Sequence, residues 1–237
     1  MYARQRSDVT KLLQAAEEAE VFGAARSGDE NLVKNMIASK VAFDLPKSNT
    51  KETPLMEAAR YGHEKIIRTL VATYKDLMKC VDKNGMSALS YAASEGKLEA
   101  VRALTAARAP FVKNKDGQSV LWLAAANGHA DVVDYLPKTE ADLNSQDISK
   151  KTALMEAVIK KHTSVVKKLI AAKARLDLTD ADGRTALIHA VAQGNLDSAK
   201  DLVDANAPID VLDRTRESAF SLARDRGYDS FATLLRA

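Results

Sequence analysis

The chain has 237 residues, 46% of them apolar and 28% charged, with a formal net charge of +3. That composition fits a folded globular chain rather than a disordered one, and the charge falls far short of a dedicated nucleic-acid binder. Ten Gly and five Pro argue against long flexible linkers, and the lone Cys80 cannot form an internal disulfide, as expected in a reducing compartment.

The first stretch, "MYARQRSDVTKLLQAAEEAE", lacks the apolar core of a signal peptide, and no run of 18 apolar residues follows. A soluble cytoplasmic protein is expected, with nuclear or cytoskeletal locations as alternatives. Ser7 or Asp8 can cap a helix through "VTKLLQAAEEAE", leaving Glu17, Glu18 and Glu20 exposed, as a terminal cap requires. Ala19 then opens "AEVFGAARSG", and Thr53 opens "TPLMEAARYG". The phrase returns as "SALSYAASEG" at Ser87, "SVLWLAAANG" at Ser119, "TALMEAVIKK" at Thr152, "TALIHAVAQG" at Thr185 and "SAFSLARDRG" at Ser218. Successive anchors from Thr53 onward lie 34, 32, 33, 33 and 33 residues apart. A period of about 33 marks a stacked repeat architecture.

Each period reads as helix, tight turn, helix and extended finger. The anchoring Thr or Ser is an N-cap, and Pro54 stands where its missing N–H is harmless. Leu55, Ala58 and Ala59 share one face at helical spacing, with the alanines allowing close helix approach. Gly62, Gly96, Gly128, Gly194 and Gly227 fit left-handed helix ends. Second helices follow with Ile66, Ile67 and Leu70, or Val132, Val133 and Leu136, inside. "DKNG", "NKDG" and "DADG" then supply turns at Gly85, Gly117 and Gly183. One helix pair cannot bury its apolar face alone, so the copies must stack. The expectation is an all-α solenoid of about seven repeats forming a single domain over 1–237. The repeats run 8–44, 45–79, 80–112, 113–144, 145–177, 178–210 and 211–237. The first and last act as caps, with Arg224, Asp225 and Arg226 giving repeat seven its polar face.

The phrase resembles the ankyrin repeat, D-x-x-G-x-T-P-L-H-x-A-A-x-x-G-H followed by a second helix and G-A-D-V-N. "DLTDADGRTALIHAVAQGN" (Asp177–Asn195) and "EADLNSQD" (Glu140–Asp147) carry the match, which covers about residues 19–237. The T-[PA]-L-M-E-A variant is similar to the ankyrin-only scaffold proteins of diplomonad protists. The motif His is replaced by Met56, Ser90, Trp122, Met155, Ile188 and Ser221. Its hydrogen bonds between loops are therefore expected to be absent, leaving repeat contacts to apolar packing.

Chemistry beyond binding finds no support. His63, His129 and His162 share one repeat position, and copies one period apart form a ladder of about 8–10 Å spacing. Zinc needs its ligands about 2 Å from one centre. His189 has no Cys or His beside it in the sequence, and Cys80 reads as a buried small hydrophobe. No nucleophile elbow or phosphate loop occurs. No catalytic, metal or cofactor residue is expected, and the chain is not expected to be an enzyme.

The resemblance implies a protein–protein scaffold that binds through fingertips and the exposed side of the first helices. On these positions Arg60, Tyr61, Met86, Glu95, Trp122, Asn127, Lys151, Lys160, Lys161 and Arg184 are the partner-binding candidates. Trp122 can equally fill the space between loops. Alternatives are a regulatory inhibitor of an enzyme or transcription factor, and a cytoskeleton-associated or acidic-partner binder. The second would use the basic residues of repeat five: Lys160, Lys161, Lys167, Lys168, Lys173 and Arg175. A protein partner and a monomeric chain are expected, with neither nucleic acid nor membrane, since aromatics are only 5%. Lys161 stands where five sister repeats have Gly. Either that turn is remodelled, or a left-handed lysine is tolerated at a cost of about 1–2 kcal/mol.

Overall fold

The computed structural model describes residues 16–43, 46–47 and 49–236. The cap expected at Ser7 or Asp8 lies outside them, although residues 16–27 are helical and form α1. The chain divides into two compact units, residues 1–112 and 113–237.

The first unit holds α1, α2 (Glu30–Ala38), α3 (Pro54–Tyr61), α4 (Glu64–Thr73), α5 (Ala88–Ser94) and α6 (Leu98–Ala106). The second holds α7 (Val120–Ala126), α8 (Ala130–Tyr135), α9 (Ala153–Ile159), α10 (Thr163–Ala171), α11 (Ala186–Ala192), α12 (Leu196–Asp204), α13 (Ala219–Asp225) and α14 (Asp229–Leu234). Among the described residues no strand forms, only an isolated bridge between Gln146 and Thr152.

The anchors cap as their chemistry requires. The side-chain oxygens of Thr53, Ser87, Ser119, Thr152, Thr185 and Ser218 each accept the amide three residues on, at 3.1–3.3 Å. The first helices α3, α5, α7, α11 and α13 end in left-handed turns at Gly62, Gly96, Gly128, Gly194 and Gly227, with φ between 63° and 83°. Within each unit, first helices pack on first helices, as α3 on α5 and α7 on α9 on α11 on α13. Second helices pack on second helices, as α2 on α4 on α6 and α8 on α10 on α12 on α14. The core between these layers is Leu and Ala from the first helices, with Ile66, Ile67, Leu70, Val132, Val133 and Leu136 from the second, all buried. Fully burying one such aliphatic side chain stabilises the fold by about 1.5–3 kcal/mol.

The fingers are joined by more than apolar packing, which corrects the expectation drawn from the missing motif His. Backbone bonds link neighbouring tips: Lys83 N to Thr50 O, Ile148 N to Asp116 O, Ala181 N to Ser149 O and Arg214 N to Asp182 O, all 2.9–3.0 Å. Inside five fingers one acceptor oxygen takes two amides. Asp82, Asn114, Asp147, Asp180 and Asp213 do so through Oδ1, at 2.8–3.1 Å. The satisfied turn fixes the finger without a histidine.

Candidate interaction surface

The residues outside the core fall on fingertips, on the ends of the first helices and on the second helices. In the first unit this surface is tightly self-paired. Glu57 of α3 is buried and accepts from Arg26 Nε at 2.6 Å and from Arg60 Nη1 at 3.3 Å. Arg60 also pairs with Glu52, which Lys47 approaches to 3.4 Å, and its guanidinium lies 4.2 Å from the centre of the Tyr91 ring. Tyr91 in turn donates to Asp82 at 2.7 Å; its burial and that acceptor push the phenol well above its usual pKa. Arg60 is thus half-buried and held by two carboxylates and a ring. Tyr61 is 46% exposed, with Arg26 5.7 Å from its ring centre and His63 stacked at 6.2 Å. Met86 is half-buried, and both its backbone groups bond to Asp82. Glu95 is exposed at the end of α5.

The second unit pairs more loosely. Trp122 is only 8% exposed and belongs to the buried core. Among the described residues its buried Nε1 has no hydrogen-bond partner. Asn127 is exposed, its side-chain amide donating to Leu123 O at 2.9 Å. Lys151 and Lys160 both face the buried carboxylate of Glu156 at 3.9 Å. Arg184 pairs with Asp213 at 3.0 Å. Burial acts to raise the Asp213 pKa. The Thr215 hydroxyl, the Glu217 and Thr215 amides and Arg184 outweigh it and hold the carboxyl at about 2. His189 Nε2 lies 2.7 Å from Asp180; burial pushes its pKa down, opposed by that carboxylate.

Lys161 keeps the left-handed turn, at φ 59°. Sequence reasoning missed why a side chain fits there. At three equivalent turns, those of Gly28, Gly62 and Gly128, the next repeat lays a ring or a long chain over the glycine. A Cβ on Gly28 would meet the His63 ring at 2.8 Å, and one on Gly128 the His162 ring at 2.9 Å. His63 and His162 use Nε2 on the carbonyls of Arg26 and Ala126, at 2.7 and 3.1 Å. In repeat six the corresponding residue is Asn195, a shorter side chain that turns inward. It donates to Val158 O at 3.2 Å and caps α12 by accepting from Ser198 N at 3.2 Å. The signal was present in the sequence, 33 residues after His162, but only as a pair with Lys161.

The six basic residues of repeat five do not act as one patch. Lys168 bonds Asp134 at 2.9 Å, Lys167 faces Asp201 at 3.9 Å and Arg175 bonds Asp177 at 2.7 Å. Asp134 also bonds Lys138, and the two lysines hold its pKa at about 2. Lys161 and Lys173 are exposed at left-handed positions. Lys150, which the sequence reading passed over, is exposed at φ 60° in the same repeat's finger. Cys80 is half-buried rather than buried, its thiol pKa pushed up by burial and by Asp76. Among the described residues no cluster of three or more His, Cys, Asp or Glu could hold a metal ion, and no helix is long and apolar enough to cross a membrane.

With this repeat geometry in view, the sequence match decides the family. A model of ankyrin repeats (3 copies) matches residues 21–112, 107–180 and 154–236. The chain belongs to the ankyrin-repeat family. Its fold is similar to the crystal structure of the ankyrin repeat domain of Bcl-3, described as a unique member of the IkappaB protein family. The TM-score is 0.80 at 24% sequence identity, over 92% of this chain and 97% of that one. In all 565 solved chains match significantly, so this ankyrin fold does not by itself select a partner. No curated protein sequence matches significantly.

Proposed function

We propose that this ankyrin-repeat chain is a non-catalytic protein–protein interaction scaffold, binding through its fingertips and the exposed side of its first helices. One observation carries the reading. The apolar residues of each helix pair are consumed in stacking, so the chemistry that varies between repeats stands on fingers and helix ends. Tyr61, Glu95, Asn127, Lys160 and Lys161 are exposed there, while Lys151 and Arg184 are half-buried beside them. The first and last repeats serve as caps, and the chain acts as a monomer. Affinity purification with mass spectrometry, using the wild type and a variant with Tyr61, Asn127, Lys151, Lys160 and Lys161 replaced by Ala, tests this. Partners should be captured by the wild type and lost by the variant. Unchanged affinity for every partner would sink the proposal.

A further inference from the structure

Three features distinguish repeat five, and they meet at α9. Both turns flanking this helix carry a lysine at a left-handed position, Lys150 and Lys161. The other fingers of the second unit use Gly117, Gly183 and Arg216 there, and the other first-helix ends use Gly128, Gly194 and Gly227. Next to these, Lys151 and Lys160 share the single buried carboxylate of Glu156. Finally, α10, which leaves the same corner, has no acid in its first turn. By contrast α8, α12 and α14 begin with Asp131, Asp197 and Asp229. Two ammonium groups thus stand at one buried acid, with two further exposed lysines in the turns at either end of the helix, beside a helix start that carries no acid of its own. Ile148, 73% exposed, projects at the tip of the same finger.

We infer that this cationic strip is the docking site for an acidic, extended segment of a partner protein, with an apolar side chain of that segment set against Ile148. The inference rests on the interaction-module reading. The seven residues of α9 rise about 10 Å, so the lysine pairs at its two ends are spanned by three or four residues of extended chain at about 3.3 Å each. Carboxylates at that spacing reach both pairs. Charges of this kind steer encounter and fix register, and exposed residues held in a strained backbone conformation concentrate at functional sites. A nucleic acid fits less well. The strip offers no aromatic side chain for base stacking.

The test uses the full chain and a fluorescein-labelled peptide of alternating Glu and Asp with a central Leu, followed by fluorescence anisotropy at low and moderate salt. Three variants are compared after thermal melts confirm folding: Lys150, Lys151, Lys160 and Lys161 all to Gln, the same four to Arg, and the outer pair Lys167→Gln with Lys168→Gln. The wild type should bind, the inner Gln variant should lose about tenfold or more, and the Arg and outer variants should bind like the wild type. Equal loss in the outer variant, or no peptide binding at low salt, overturns the inference. So does tighter binding of a 20-nucleotide single strand through the same lysines. Native partners that the inner Gln variant retains in affinity purification would leave the interaction-module reading standing and overturn this site alone. A wild type that captures no partner overturns that reading instead.

Discussion

Repeats two and five carry nearly the same phrase, "TPLMEAARYGH" at Thr53–His63 and "TALMEAVIKKH" at Thr152–His162, and use it differently. Both bury the Glu of the phrase, Glu57 and Glu156. Around Glu57 the bases are arginines in hydrogen-bond reach, and Arg60 closes on a second acid, Glu52. Around Glu156 stand lysines at 3.9 Å, with further lysines in both flanking turns. Arg60 is held between two acids and a ring and so closes that surface, whereas Lys151 and Lys160 approach one acid at 3.9 Å and keep their ammonium groups available. One phrase thus yields a closed surface in repeat two and an open cationic one in repeat five.

The shared letters should cost alike. Leu55→Ala and Leu154→Ala each remove a fully buried side chain and should each destabilise by about 2–5 kcal/mol in chemical denaturation. Costs differing by more than that range would break the equivalence of the two helices. The buried acids should differ. Glu57→Gln weakens short, partly screened contacts and should cost about 1–2 kcal/mol, while Glu156→Gln, with its long contacts to one half-buried and one exposed lysine, should cost below about 1 kcal/mol. Equal losses would contradict the closed-versus-open distinction.

The turns should differ in sign. Gly62→Ala puts a Cβ at φ 83°, 3.0 Å from the Lys97 side chain, and should destabilise by about 1–2 kcal/mol. Lys161→Gly relieves the left-handed strain, partly offset by the entropy of glycine, and should stabilise by about 0.5–1 kcal/mol. Thermal melts read both. A destabilised Lys161→Gly would show that the lysine side chain is needed by the fold itself.

The period, the caps and the left-handed glycines were legible in the sequence because each is a local code repeated every 33 residues or so. What depended on pairs across repeats was not. Trp122 stood open between packing and contact until its burial was seen, and the partners of Arg60 outside its own helix, Glu52 and Tyr91, come from other elements. Lys161 looked anomalous because its tolerance lies in Asn195. The recurring Asp of the fingers, from Asp82 to Asp213, was readable by register and explains why these loops hold without the motif histidine.

The smallest effect expected is a pH dependence beside the open strip. Lys151 and Arg184 lie near His189, whose pKa burial depresses against the pull of Asp180. The unfolded chain takes up a proton at the ordinary histidine value of about 6.5, and the folded chain does so only at lower pH. His189 therefore removes stability as pH falls through that window, and stability is regained above it. His189→Gln should flatten the fall of the melting midpoint between about pH 7 and 5. An unchanged slope would place the titration elsewhere.

The most direct test of the open strip is an amide chemical-shift map of the labelled full chain titrated with the acidic peptide. The account requires perturbations centred on Ile148, Lys150, Lys151, Lys160 and Lys161, with Arg60 and Tyr61 unmoved. A map centred on α3, or one spread evenly over exposed lysines including Lys167 and Lys168, would contradict it.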